Sequence, residues 1–206
     1  TAGADCVSPT ASIIIGAVTI AAFVGATLLR RRRLAATAEA IAALAVVFVY
    51  LDAFAIRAND LFGAEDADGL VYWGAALVVS SAGFALWHRL SGLRLPDIVA
   101  AAAFAPGLAL LVGGLTDGLD DGVRVFAALL ALGAGTLVHP LLGAYRVERI
   151  VLLALGLLGL VTASFAALFV RLDIDSAPLV TYGLVVVVAG AHVAVLLRQG
   201  ARPVLP

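Results

Sequence analysis

The stretch PTASIIIGAVTIAAFVGATLLRRRRLAATAEAIAALAVVFVYLDAFAIR, Pro9–Arg57, decides the fold class. It holds two long apolar runs with four consecutive arginines, Arg30–Arg33, between them. A helix needs about 20 apolar residues, at 1.5 Å each, to cross a hydrocarbon core of roughly 30 Å. Both runs meet that length. Neither alternates apolar with polar residues, as a barrel strand would. Inside lipid a single helix satisfies all its own backbone N–H and C=O groups, so each run reads as a spanning helix. An arginine cluster between two spans marks a loop kept on the cytoplasmic side.

The rest of the chain repeats this pattern. Seven apolar windows follow one another: Pro9–Leu29, Ala35–Ile56, Leu70–Trp87, Ile98–Leu115, Val123–Leu142, Ile150–Val170 and Pro178–Leu197. The fourth, interrupted by Pro106 and with three glycines near its end, carries the weakest signal. The first runs straight into arginines without a small-residue cleavage motif, so it is expected to be a span and not a cleaved signal. Of 206 residues, 63% are hydrophobic and 13% charged, and the mean hydropathy is +1.11. A soluble domain has about 25% charged residues. The composition therefore excludes a soluble globular domain and a disordered chain, and a net charge of −1 gives no footprint for nucleic acid. One cysteine, Cys6, leaves no internal disulfide and no cysteine pair for zinc or redox chemistry.

Charge gives the orientation. All thirteen basic residues are arginine. Ten fall in loops on one side: Arg30–Arg33, Arg89, Arg94, Arg146, Arg149, Arg198 and Arg202. The opposite loops carry Asp60, Glu65, Asp66, Asp68, Asp117, Asp120, Asp121, Asp173 and Asp175. Both signs put the N-terminus outside and the C-terminus inside a multi-pass plasma membrane protein. Arg30, Arg31, Arg32 and Arg33 are its topology anchors and its contacts with anionic lipid heads. Lysine-free, aspartate-rich composition resembles that of haloarchaeal membrane proteins.

At an offset of 109 residues the chain overlies itself without gaps. Leu70–Arg89, LVYWGAALVVSSAGFALWHR, lies over Leu179–Arg198, LVTYGLVVVVAGAHVAVLLR. At the same offset Glu39 meets Glu148, Asp66 meets Asp175, and Thr27–Leu28 meets Thr136–Leu137. The register describes a parallel repeat of halves 9–93 and 123–202 around a linker helix, 98–115, within one transmembrane domain. This three-plus-one-plus-three layout resembles the heptahelical microbial rhodopsins and SWEET-type sugar carriers, and the seven-helix sensor module that precedes some archaeal histidine kinases. The resemblance lies in topology, not motif. A rhodopsin carries a Schiff-base lysine in helix 7; here that stretch reads VVVVAGAH, so covalent retinal is excluded. The carrier's helix-bending prolines and asparagine pair are also missing, since Pro9 and Pro140 are terminal and Asn59 stands alone.

Polar groups within spans are the default functional candidates because lipid makes them costly. Asp52 lies near the outer end of helix 2 beside Tyr50, where it would bind a cation, relay protons, reach outer water or pair with Arg57. Tyr72, Trp73 and Tyr182 fit an outer aromatic belt or an aromatic-lined pocket. Ser164, like Ser80, Ser81 and Thr162, is a mid-membrane hydroxyl expected to bond its own helix or a neighbour. His139 and His192 lie at nearly equal depth on helices 5 and 7 and are the candidates for a metal or a b-type haem. Their spacing forms no HxxxH or HExxH motif. Glu39 and Glu148 are expected in the first turns of helices 2 and 6, where the macrodipole favours an acid.

The expectation is an all-α bundle of seven transmembrane helices, non-enzymatic, receptor-like or an accessory subunit. It would bind an apolar ligand such as a carotenoid, a partner membrane protein or a second copy, within the lipid bilayer. Alternatives are a small transporter with its path between the halves, and an electron-transfer subunit holding haem b.

Overall fold

A computed structural model describes residues 9–138, 146–169 and 177–200. Among them are seven α-helices and no strand: α1 Pro9–Arg31, α2 Ala35–Ala58, α3 Gly69–Ser91, α4 Arg94–Leu115, α5 Asp121–Gly135, α6 Arg146–Phe169 and α7 Ala177–Gly200. A single 3₁₀ turn, Leu61–Gly63, lies between α2 and α3.

Five helices are long and apolar enough to span a membrane: α1 through Ile14–Arg31, α2, α3, α4, and α7 through Val180–Arg198. In α6 the qualifying apolar stretch is the shorter Leu152–Ala166. Of the expected window Val123–Leu142, the helix occupies the part up to Gly135, and residues 139–145 lie outside the described ones. Two glycines in ALGAG, Gly133 and Gly135, stand at that end, where helix propensity is lowest. The window with the weakest sequence signal forms an unbroken 22-residue helix, with Pro106 inside it and a mean hydropathy of 2.2. One proline removes one backbone bond, and tertiary packing can hold the helix through it. Several helices also run past their apolar windows into charged residues, as α1 does to Arg31 and α4 does back to Arg94.

The outward residues are large and apolar. Ile20 is 66% exposed, Val79 71%, Leu90 74% and Leu197 70%. Water-soluble monomers rarely present apolar surface on this scale, whereas lipid accommodates it.

The chain forms two compact units. The first comprises the described residues up to Asp68 together with Val79–Ala100. Its core is built on small residues: Ala26 of α1 and Ala38, Ala42 and Ala45 of α2 are fully buried. The spacing of those three α2 alanines places them on one face, so α1 and α2 can approach closely. Phe84 and Trp87 of α3 complete this core. Phe23 packs on Trp87 with ring centroids 4.1 Å apart and on Phe84 at 6.4 Å, and Tyr50 meets Phe84 edge-on at 6.2 Å.

The arginine run also shapes the backbone. Arg33 takes a left-handed φ of 63°, its N–H donates to Arg30 C=O at 3.0 Å, and Leu34 N–H donates to Leu29 C=O at 3.1 Å. That is a Schellman stop, with arginine where glycine is usual.

Glu39 lies beyond the first turn of α2, contrary to the expectation for it. Its two carboxylate oxygens accept the N–H groups of Arg94 and Leu95, at 2.8 and 2.9 Å. It therefore caps α4 from another helix. The third residue of α4, Pro96, has no N–H to satisfy, and Asp97 adds an acid to the same turn. Glu39→Ala is expected to lower stability by about 1–2 kcal/mol, with Glu39→Gln recovering roughly half, because one acceptor oxygen remains. Thermal unfolding in detergent reads this; a wild-type midpoint for Glu39→Ala would remove Glu39 from the cap.

The second unit comprises Gly69–Val78 and the described residues from Ala101 onward. α3 and α4 meet here at Gly74 and Gly107, and α5 and α6 meet at Gly133 and Gly159. A Cβ on Gly159 would stand 3.1 Å from Gly133 N, so the two backbones nearly touch. At the start of α5, Asp120 accepts Gly122 N–H at 2.8 Å as N-cap. Arg124 donates to Gly113 C=O at 2.8 Å and pairs with Asp117, tying α5 to the end of α4.

Candidate functional site

Within the first unit the polar side chains turn toward neighbouring helices. Asp52 is half-buried, and its Oδ2 lies 2.7 Å from Thr19 Oγ1 of α1. Its hydrogen-bond partner is thus a hydroxyl, whereas Arg57, one turn on, donates to Ala67 C=O at 3.1 Å. Thr19 Oγ1 also stands 2.9 Å from Ile15 C=O. A hydroxyl has one hydrogen, so Thr19 shares or alternates it between the Asp52 carboxylate and Ile15 C=O. Tyr50 belongs to a different contact: Ser80 Oγ donates to its hydroxyl over a long 3.5 Å. Asp52 and Tyr50, two positions apart in the sequence, are thereby directed to α1 and α3 respectively. Ser81 donates to Ala100 C=O of α4 at 2.6 Å.

A groove of about 270 Å³ lies between α1 and α3, lined by Phe23, Val24, Thr27, Leu28, Arg31 and Trp87. Trp87 Nε1 donates to Thr27 Oγ1 at 3.0 Å, and that hydroxyl donates to Phe23 C=O at 2.9 Å.

In the second unit Tyr72 and Trp73 form an edge-on pair with centroids 5.3 Å apart. Ser164 and Tyr182, far apart in sequence, are brought together. With Val161 and Phe165 they line an open groove of about 220 Å³ between α6 and α7. Ser164 spends its hydrogen on Leu160 C=O at 2.8 Å, which leaves oxygen lone pairs as acceptors.

His192 is 2% exposed. Its Nδ1 lies 2.9 Å from Val188 C=O of the same helix, and its Nε2 lies 3.0 Å from Thr136 Oγ1 beyond the end of α5. Gly156 of α6 faces both groups: a Cβ there would lie 2.7 Å from His192 Nε2 and overlap Thr136 Oγ1. Both ring nitrogens thus face protein oxygen atoms. His139, its proposed haem partner, lies outside the described residues. No group of three His, Cys, Asp or Glu side chains comes together among the described residues.

Thr27 and Thr136 coincide at the 109-residue offset. Each hydroxyl faces an aromatic nitrogen at 3.0 Å, on Trp87 and His192 respectively. Thr19, Thr27, Thr136 and Gly156 carried no signal of their own in the sequence, since Thr and Gly are common in apolar helices. The offset that pairs Thr27 with Thr136 was the one available pointer to two of them.

Comparison with protein-family models, with curated proteins and with solved structures finds no match.

Proposed function

We propose that this chain is a non-enzymatic, multi-pass protein of the cell membrane that binds a small apolar ligand, in a receptor-like or accessory role. In this reading all seven helices cross the bilayer, with the N-terminus outside and the arginine-rich loops inside. The one observation that carries ligand binding is the α6/α7 groove. Val161 and Phe165 give it apolar walls, while Ser164 and Tyr182 add oxygen atoms. An apolar molecule bearing one hydroxyl or carbonyl suits such a lining. The lack of lysine keeps any such ligand non-covalent with respect to Schiff-base chemistry. In this reading α1–α3 and α5–α7 are the halves of the parallel repeat.

Organic extraction of the purified protein, followed by absorption and mass spectra, tests the assignment. Expected is an apolar compound enriched at least about tenfold over the bulk lipid extract, and lost in Ser164→Leu, where added bulk enters the groove. A Soret band that disappears in His192→Ala would replace this reading with the haem one. Extracts of wild type and Ser164→Leu with the same composition would exclude the groove as the site.

A further inference from the structure

We propose that the groove between α1 and α3 is a binding site for one anionic phospholipid, with an acyl chain against Phe23, Val24, Leu28 and Trp87 and the phosphate on Arg31. The assignment rests on membrane embedding but not on the α6/α7 ligand site. Three features of the lining lead to it.

First, the wall is apolar along its length. The one hydroxyl on it, Thr27, is consumed: it accepts the Trp87 indole N–H and donates to Phe23 C=O. The same bond fixes the Trp87 ring, which forms a firm floor with Phe23 at 4.1 Å. Second, the one charged residue lining the groove is Arg31, the last residue of α1. A cation closing an apolar slot complements a phosphate ester above a hydrocarbon chain. Its planar fork of donors suits phosphate oxygens. Third, the dimensions agree. From Phe23 to Arg31 is eight residues, about 12 Å along the helix, against about 15 Å for half of the hydrocarbon core. The guanidinium therefore stands at headgroup level when the floor lies within the leaflet.

Arg31 is exposed like its neighbours Arg30, Arg32 and Arg33, but of the four only Arg31 lines the groove. This separates a built site from a diffuse basic surface, because only Arg31 combines charge with the slot. Loss of one basic contact to an anionic lipid is worth about fivefold in affinity.

The test uses the full chain in detergent, titrated with phosphatidylglycerol and phosphatidylcholine, with bound lipid read by native mass spectrometry. Wild type is expected to retain one phosphatidylglycerol, with at least about fivefold preference over phosphatidylcholine. Arg31→Gln removes the preference, and Arg32→Gln leaves it intact. Leu28→Trp fills the slot and removes the bound lipid; Leu28 is 52% exposed, so the change leaves the core unaltered. Inorganic phosphate added as competitor leaves the lipid in place, because the chain contributes to binding. Four results would overturn the proposal: equal retention of both lipids by wild type, equal effects of Arg31→Gln and Arg32→Gln, full occupancy in Leu28→Trp, or displacement by phosphate alone. Dimerisation that vanishes in Leu28→Trp while lipid binding stays unchanged would give the groove to a second copy instead. None of these readouts depends on Ser164→Leu or its ligand.

Discussion

Replacing Gly74 by alanine is expected to lower stability by about 2 kcal/mol, although alanine is the better helix former. A Cβ at this position would stand 2.7 Å from Leu111 Cα and 2.9 Å from Gly107 C=O, and would overlap Leu111 N. All three obstacles are backbone of α4. No rotamer change can clear them, so α3 and α4 must move apart along their contact. Overpacking of a filled interior costs typically about 1–3 kcal/mol, and rigid backbone places this site at the upper end. The gain in helix propensity offsets up to about 1 kcal/mol of that. Gly83, on the same helix, is the control. A Cβ there meets nothing within 4 Å, so Gly83→Ala should hold or slightly raise stability. Unfolding of both variants in detergent separates the two contributions. Equal midpoints for the pair would show that α3 and α4 are not in backbone contact at Gly74.

The second large effect is expected at the junction of α5, α6 and α7. Gly156→Ala should cost about 2–4 kcal/mol, because its methyl group enters the space between Thr136 and His192. The obstacles are side-chain atoms, so they can yield, but yielding breaks a buried hydrogen bond and strands an imidazole nitrogen. Removing the imidazole is a different experiment. In His192→Leu the side-chain volume is roughly kept, and Thr136 Oγ1 still has Gly133 C=O, 2.8 Å away, to receive its hydrogen. Nothing polar is left unpaired, so the loss should stay near 1 kcal/mol, the usual net worth of one such bond between membrane helices. The order of the two variants is therefore the diagnostic. A His192→Leu protein less stable than Gly156→Ala would mean that the ring carries interactions beyond Thr136 and Val188.

Much of the architecture is legible in the chain itself. Apolar runs separated by charge predict helices, and the helices occur where the runs are. The boundaries differ because apolarity marks the part of a helix suited to lipid, whereas hydrogen bonding continues through Arg30 and Arg31 at the end of α1 and Arg94 at the start of α4. Pro106 weakened the signal of α4 in the sequence, yet Gly107 beside it makes the close contact with Leu77 and Val78 that packs this helix. The polar candidates were less legible. Asp52 suggested Arg57 as a partner because the two are near neighbours in sequence, but the Asp52 side chain faces α1 and Thr19, 33 positions away. Glu39 was explained by its own helix, while its oxygens cap another. Ser164 and Tyr182 read as a backbone-bonded hydroxyl and a belt aromatic; the pairing of α6 with α7 makes them two walls of one groove.

The sequence by itself determined the helical class, the order of the seven apolar segments and the absence of a lysine for Schiff-base chemistry. These follow from composition and from interactions within a few residues, since a helix in lipid closes its own hydrogen bonds. Tertiary structure alone decided which small residues touch, which hydroxyl meets Asp52 or His192, and where Arg31 finds an apolar slot beside it. Those contacts join positions 33, 56 and 60 residues apart, as in Thr19–Asp52, Thr136–His192 and Thr27–Trp87. No local periodicity encodes such separations. They depend on how closely two backbones approach, and that distance is set by where glycine and alanine on one helix meet their counterparts on the next.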